Sequence, residues 1–453
     1  MLVACLILGG GTHSGFLADV ILQFISLPLI WLAVVELRSA PTISYFKWPL
    51  AFVALVCALP LAQLIPLPAS VWVLLPGHTV ISATYAFLGE PLPARPLTLS
   101  RASTCLSFLS LLPPSAIFLG TLTLGYRQRC LLSIVVIVVG VVSVVLGLLQ
   151  LAGGPNSGLR FYAVTNRTDA VGFFANRNHF AALLYTSMLL ALYWIIETSI
   201  TVSLSSGRRR FTSNVFLPFT CAGFAFCILL AGQLTARSRA GLLLAVVALL
   251  AGLAFSGVDR RAMQLGRRSV RTVIGVTAAT IAFSLQFGLY RILDRFDHVM
   301  LDDSRIEILQ NAISAAWAYM PFGSGLGTFV PVYQMFEKPS DIGVAFVNHA
   351  HNDLLEIWLE TGLPGLILLG IYATWLVRRV IALWRWPFGI GETGEIDVGL
   401  ARACSIVLLL LLTHSLVDYP LRTYAMAGVA AFASAVVVRP AEAEDKDENS
   451  LRQ

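Results

Sequence analysis

The sequence predicts an all-α polytopic membrane protein with about twelve transmembrane helices. Three observations carry that prediction. The chain of 453 residues is 57% hydrophobic and only 12% charged, and its mean hydropathy is +0.79; an ordinary soluble domain is roughly 25% charged. Apolar runs of the ~20 residues needed to cross a hydrocarbon core of about 30 Å recur along it, separated by basic or turn-rich breaks. The runs do not alternate polar with apolar residues, as the strands of a membrane barrel would.

Taken in order, residues 2–10 form a short first span, residues 16–37 the second and residues 49–65 the third. Residues 66–101 make a proline-rich external loop with an amphipathic piece at residues 71–75. Spans four and five cover residues 102–124 and 131–151, and a polar loop, RFYAVTNRTDAVGFFANRNHF, leads into span six at residues 181–196. Span seven (residues 215–232) ends in QLTARSRAG, span eight covers residues 242–255 and span nine residues 272–287. The longest segment outside the membrane follows at residues 289–352, between helices nine and ten. Span ten begins near Leu363, and spans eleven (403–416) and twelve (424–438) form a hairpin about Asp418 to Arg422. The organisation expected is therefore N-terminal helices over 1–151, a main membrane domain over 152–438 containing the loop 289–352, and a charged, disordered cytoplasmic tail over 439–453. The first residues lack the basic flank of a secretory signal and are expected to be retained.

The net charge of +6 does not indicate nucleic acid, because the basic residues fall in short clusters between spans. The seven cysteines lie mostly in apolar stretches and show no CxxC or Cys/His spacing, so neither a disulfide framework nor a metal site is expected. With a cytoplasmic N-terminus, the clusters Arg38/Lys47, Arg127/Arg129, Arg208 to Arg210, Arg260 to Arg271 and Arg378 to Arg385 all fall in the cytoplasm. The same assignment puts Arg101, residues 166–179, Arg237/Arg239, the 289–352 loop and Arg422 on the outer face.

Candidate chemistry gathers on that face. In NHAHNDLLEIWLETGLPG, His351 stands at a span boundary, where a neutral imidazole can take a proton, with His349 and Asn352 beside it. Asp353, Glu356 and Glu360 share a helix face, where first-turn carboxylates also suit the helix dipole. Arg237 and Arg239 stand at the outer end of a span, against the positive-inside bias, and suit phosphate oxygens at headgroup level; snorkelling is the plainer explanation. Asn176, Arg177, Asn178 and His179 open span six, where Asn178 can cap the helix or donate to a ligand. Residues 304–319 read as an amphipathic helix with Ile306, Leu309, Ile313 and Ala316 on its apolar face. Arg305 in its first turn calls for an acidic neighbour (Asp302, Asp303 or Glu307) or an anionic ligand.

HAHNDLLEIWLETGLPG resembles the signature of the O-antigen ligase and polymerase superfamily, in which His-Asn is followed, after nine intervening residues, by Gly-x-x-Gly: here His351, Asn352, Gly362 and Gly365. FANRNHFAALL, LTARSRAGLL and SRIEILQNAISAAWAYMPFGSGLGTF also resemble segments of that family, so the likeness covers about residues 172–370. The resemblance implies a GT-C-like, metal-independent, inverting glycosyltransferase without a cofactor, in the bacterial inner membrane with its site facing the periplasm. Its donor would be an undecaprenyl-diphosphate-linked glycan, and its acceptor either lipid A-core or a growing glycan of O-antigen or exopolysaccharide. His351 would be the general base; Arg239 and Arg305, with Arg237, would hold the donor diphosphate, supported by Asn352, Asn178, Arg177 and His349. Two alternatives stay open: a transporter or flippase of lipid-linked glycans, and a protein O-oligosaccharyltransferase of the same superfamily.

Overall fold

The protein is described by a computed structural model over residues 1–13, 15–39, 43–205, 213–258, 303–339, 346–385 and 398–438. Expected span nine, the basic clusters at 208–210 and 260–271, and the tail lie outside the described residues. The described chain is almost entirely helical. In order it comprises α1 (Leu2–Leu8), α2 (Leu17–Ser39), α3 (Ile43–Gln63), α4 (Ala69–Trp72), α5 (Thr79–Leu88), α6 (Arg101–Ser110), α7 (Leu112–Thr123) and α8 (Tyr126–Ala152). There follow α9 (Arg177–Ser205), α10 (Ser213–Thr235), α11 (Arg239–Val258), α12 (Asp303–Ala318), α13 (Phe329–Phe336), α14 (Asp353–Arg385), α15 (Val398–His414) and α16 (Tyr424–Val438).

Among the described residues, seven helical stretches are long and apolar enough to cross a membrane: α2, α3, α6 with α7, α8, α9, α10 and α14. Helices α5, α11, α15 and α16 are shorter and apolar. The chain is thus a polytopic membrane protein by length and composition. Helix α9 is its axis, mostly buried over Arg177–Thr198 among α8, α10, α11 and α15. A second, smaller core joins Ala312, Ala315, Ala316 and Tyr319 at the C-terminal end of α12 to Val332 and Tyr333 of α13 and to Leu355 and Leu359 of α14.

Four expectations are corrected. The first span is a helix of only 7 residues, packed against α8 and α16. The fourth is interrupted at Leu111, where Pro113 and Pro114 cannot donate to the preceding turn. Residues 66–101 are not a plain loop: Pro66–Leu67 pairs antiparallel with Arg95–Pro96, and α4 and α5 lie between. Helix α12 has nearly the expected bounds, but of its expected apolar face Ala316 is buried and Ile313 packs on the core with it, while Ile306 and Leu309 are exposed and the buried side is completed by Ala312 and Ala315. Small alanines let the α12 backbone approach α14 closely, which outweighs the larger side chains on its other face.

Helix α14 starts ten residues before the expected tenth span, and this positions the site. Gly362 sits inside it at φ 58°, ψ −146°, a conformation open only to glycine, and a Cβ there would lie 2.2 Å from the Pro321 carbonyl oxygen. The kink takes Leu363 N–H to the Pro321 carbonyl (2.8 Å), and Pro364 has no N–H to offer the Glu360 carbonyl. The carbonyls so released accept from elsewhere: Leu359 from Ser324 N–H (3.0 Å), and Glu360 from Gly325 N–H (2.9 Å) and Gln63 Nε2 (3.0 Å). The first of the motif's two glycines therefore ties the 321–327 loop and α3 to the helix carrying the carboxylates.

Candidate active site

The segment 348–352 runs into α14 with Asn352 as its cap. The Asn352 side chain accepts from Leu355 N–H at 3.0 Å and donates to the Leu416 carbonyl at 2.9 Å, so one residue starts the helix and fastens it to the 415–423 hairpin. His351 before it has φ 51°; it and Arg237 (φ 52°) are the non-glycine residues with positive φ among the described residues. Strain of that kind persists where the surroundings over-determine it, commonly at functional sites.

His351 Nδ1 lies 3.3 Å from Asp418 Oδ1. A carboxylate only accepts, so Nδ1 carries the proton in the neutral ring and Nε2 keeps its lone pair. The side chain is 26% exposed, whereas that of Asp418 is 1% exposed. Asp418 also accepts from the Asn178 side-chain amide and from Tyr419 N–H. Burial would raise its carboxyl, but the His351 hydrogen bond and the imidazoles of His179, His351 and His414 hold it well below the usual carboxylate range. The arrangement is an Asp–His pair with the imidazole aimed by a permanently ionised acid.

His349 points elsewhere. Its Nδ1 is 2.9 Å from Glu356 Oε1 and its Nε2 is 3.1 Å from the Thr12 carbonyl, so both nitrogens face acceptors. Only the imidazolium can donate to both. Burial works against that charge, but Glu356 outweighs it and raises the ring above its ordinary value. The buried Tyr419 ring lies between the two histidines, 4.1 Å from the His349 centroid and 5.2 Å from that of His351.

The three carboxylates of α14 are buried and converge on Arg422. Its Nε is 3.5 Å from Asp353 Oδ1, its Nη1 3.0 Å from Glu356 Oε1, and its Nη2 3.0 Å from Glu360 Oε2. The remaining oxygens accept from Ser415 Oγ, Ala350 N–H and Phe329 N–H. Burial of three acids is tolerable here because one guanidinium fork meets all three and few lone pairs are left over. Beside them is a cavity of about 500 Å³. Phe52, Leu106, Leu368 and Tyr372 supply apolar walls, and His349, Glu356 and Arg422 line its polar end. His351 does not line this cavity.

The expected arginines separate into two groups. Arg177 at the start of α9 and Arg237 before α11 both reach Asp169, at 2.8 and 3.4 Å. Arg239 opens α11 and Arg305 lies in the first turn of α12, both exposed. Among the described residues no hydrogen bond joins Arg305 to the His351 network, and Asp302, one of its expected neighbours, is outside them. Asn178 does not cap α9: Asn176 accepts from Asn178 N–H and Asn166 from Arg177 N–H, which frees the Asn178 amide for Asp418. Among the described residues no group of three or more His, Cys, Asp or Glu is placed to hold a metal ion.

Sequence reasoning missed Asp169, Asp418 and the role of Arg422. The expected topology set Arg422 on the same face as Arg237 and Arg239 but gave it no partner. Residues 219–370 match the family model described as O-antigen ligase. That supports the O-antigen ligase/polymerase superfamily, and the matched segment holds His351, Arg237, Arg239 and Arg305 but ends before Asp418 and Arg422. No curated protein matches the chain.

Proposed function

We propose, for a chain that carries an O-antigen ligase/polymerase-superfamily domain at residues 219–370, that it transfers a glycan from undecaprenyl diphosphate to an acceptor hydroxyl with inversion at the anomeric carbon. The observation that carries this reading is the carboxylate of Asp418, which aims His351 on one side and binds the arginine-bearing start of α9 through Asn178 on the other. That link supports a site in which the base His351 works with the arginine that precedes Asn178 in the chain.

In the step proposed, the acceptor oxygen attacks the anomeric carbon as its proton passes to His351 Nε2. The bond from that carbon to the donor's phosphate oxygen breaks, and the electron pair leaves with undecaprenyl diphosphate. Charge grows on the departing diphosphate, so arginines beside it stabilise the transition state more than the ground state. Arg237 and Arg177, with Arg239 and Arg305, are the residues proposed for that task in place of a metal ion. The acid-rich cavity lies apart from them. The site faces the periplasm of a bacterial inner membrane in this reading, which rests on the charge bias of the sequence: the basic clusters expected in the cytoplasm alternate with the arginine-bearing motifs and the 348–352 segment along the chain.

The test is purified full-length protein in lipid nanodiscs with a synthetic undecaprenyl-diphosphate glycan. Released undecaprenyl diphosphate with either core-linked or lengthened glycan supports the reading and separates ligation from polymerisation. Movement of intact donor across the bilayer with no new glycosidic bond would contradict it.

A further inference from the structure

Asp169 belongs to the loop between α8 and α9, outside the family-matched segment, yet it is buried at 2% exposure and divides its two oxygens between Arg177 and Arg237. We propose that Asp169 is the positioning residue of the donor diphosphate site, holding Arg177 and Arg237 as a two-armed clamp for adjacent phosphoryl groups; this rests on the transferase reading above.

Several observations support it. The loop that carries Asp169 is itself braced, because the Arg160 guanidinium donates to the carbonyls of Asn166, Arg167 and Asp169 at 3.0, 2.6 and 3.2 Å. Each clamp arginine gives Asp169 a single Nη1 contact, and their side chains remain 29% and 41% exposed. A guanidinium has five N–H donors, so most of each fork stays available to an anion. One carboxylate between two guanidinium groups offsets their mutual repulsion and leaves a net positive charge on the pair.

The clamp is also linked to the base through one intervening residue pair. Arg177 is followed by Asn178, which donates to Asp418, and Asp418 orients His351. On the other side of the 348–352 segment the cavity carries Asp19, Asp353, Glu356 and Glu360 against Arg422 and His349, which disfavours a diphosphate there. Two adjacent anionic groups therefore find complementary charge on the Asp169 side.

The test turns on the sign of a charge effect. Asp169→Asn removes a negative charge next to a phosphate site, so simple Coulomb attraction predicts tighter binding, whereas loss of positioning predicts weaker binding. With full-length protein in nanodiscs and inorganic pyrophosphate as the probe, Asp169→Asn is expected to weaken affinity about tenfold and Asp169→Glu to restore part of it. Because the clamp arginines hold both the bound diphosphate and the charge that grows on it as it leaves, Asp169→Asn should raise the donor KM about tenfold and lower kcat by at least as much while Tm stays near wild type, a pattern that general loss of fold would not give. Arg177→Lys and Arg237→Lys, which keep charge but lose the fork, provide a second route if Asp169→Asn does not fold, and each should weaken pyrophosphate binding by a similar factor. Unchanged or tighter binding in these variants, with normal wild-type turnover, would overturn the clamp. Wild-type protein that binds pyrophosphate through the clamp but makes no glycosidic bond would instead sink the transferase reading.

Discussion

His351 gives its Nδ1 to Asp418 across 3.3 Å, although the two residues stand 67 positions apart, one before α14 and the other after α15. The contact settles which nitrogen of the imidazole remains basic, because the acid can only accept. Asp418→Asn keeps the size of the side chain, but its amide can donate to the ring and favour the wrong tautomer. Transfer is expected to fall about 10²- to 10⁴-fold with little change in donor affinity. Steady-state kinetics on the variant checks this.

Arg422 should matter for stability more than for chemistry. Arg422→Ala leaves Asp353, Glu356 and Glu360 buried without their shared countercharge. Breaking a buried pair from one side typically costs about 3–5 kcal/mol, so a marked fall in Tm in detergent is expected. Arg422→Lys keeps the charge but cannot meet three carboxylates, and should fall between. A Tm unchanged in both variants would contradict the role assigned to Arg422.

The His349 imidazolium makes stability depend on pH in a stated direction. Its folded value is raised above the ordinary 6.5, so its contribution is complete below about 6.5 and is lost as pH rises through the higher folded value. Above that point the neutral ring keeps one N–H, so it can donate to Glu356 or to the Thr12 carbonyl but not to both, and the attraction between the imidazolium and the carboxylate is lost. Tm is expected to fall as pH rises above about 6.5 in wild-type protein, and this part of the slope should vanish in His349→Gln.

Gly362 supplies a backbone conformation as well as space. Gly362→Ala forces a Cβ into a glycine-only region and against the Pro321 carbonyl. The conformational cost alone is about 1–3 kcal/mol. Thermal unfolding should show at least that loss, and near wild-type Tm would mean that the kink relaxes freely.

The parts of the site that were legible in the sequence are those whose roles are local. The carboxylates of α14 show their shared helix face by their own spacing, and α12 announces its length by its own polarity, whereas the Asn352 cap and the interruption at Gly362 and Pro364 came only with the structure. The partners of His351 and of the α14 carboxylates were not legible, because Asp418 and Arg422 act across 67 and 62 positions and look like ordinary turn residues in DYPLR. Asp169 meets Arg237 across 68 positions for the same reason. Of the buried face of α12, Ala316 was among the residues expected on its apolar side, whereas Ala312 and Ala315 carry little hydrophobic signal, and their advantage, close approach, exists only once α14 is beside them. The 66–101 segment gains its order partly from contacts such as Leu99 N–H to the Ser324 carbonyl, which no property of the segment alone foretells.

The most direct measurement is single-turnover transfer by His351→Ala in nanodiscs, with undecaprenyl-diphosphate glycan and acceptor both saturating. The variant should fold with near wild-type Tm, bind the donor, and release undecaprenyl diphosphate at least about 10²-fold more slowly than wild type. Release at the wild-type rate, with the new glycosidic bond formed, would show that His351 is not the base and would remove the centre of this account.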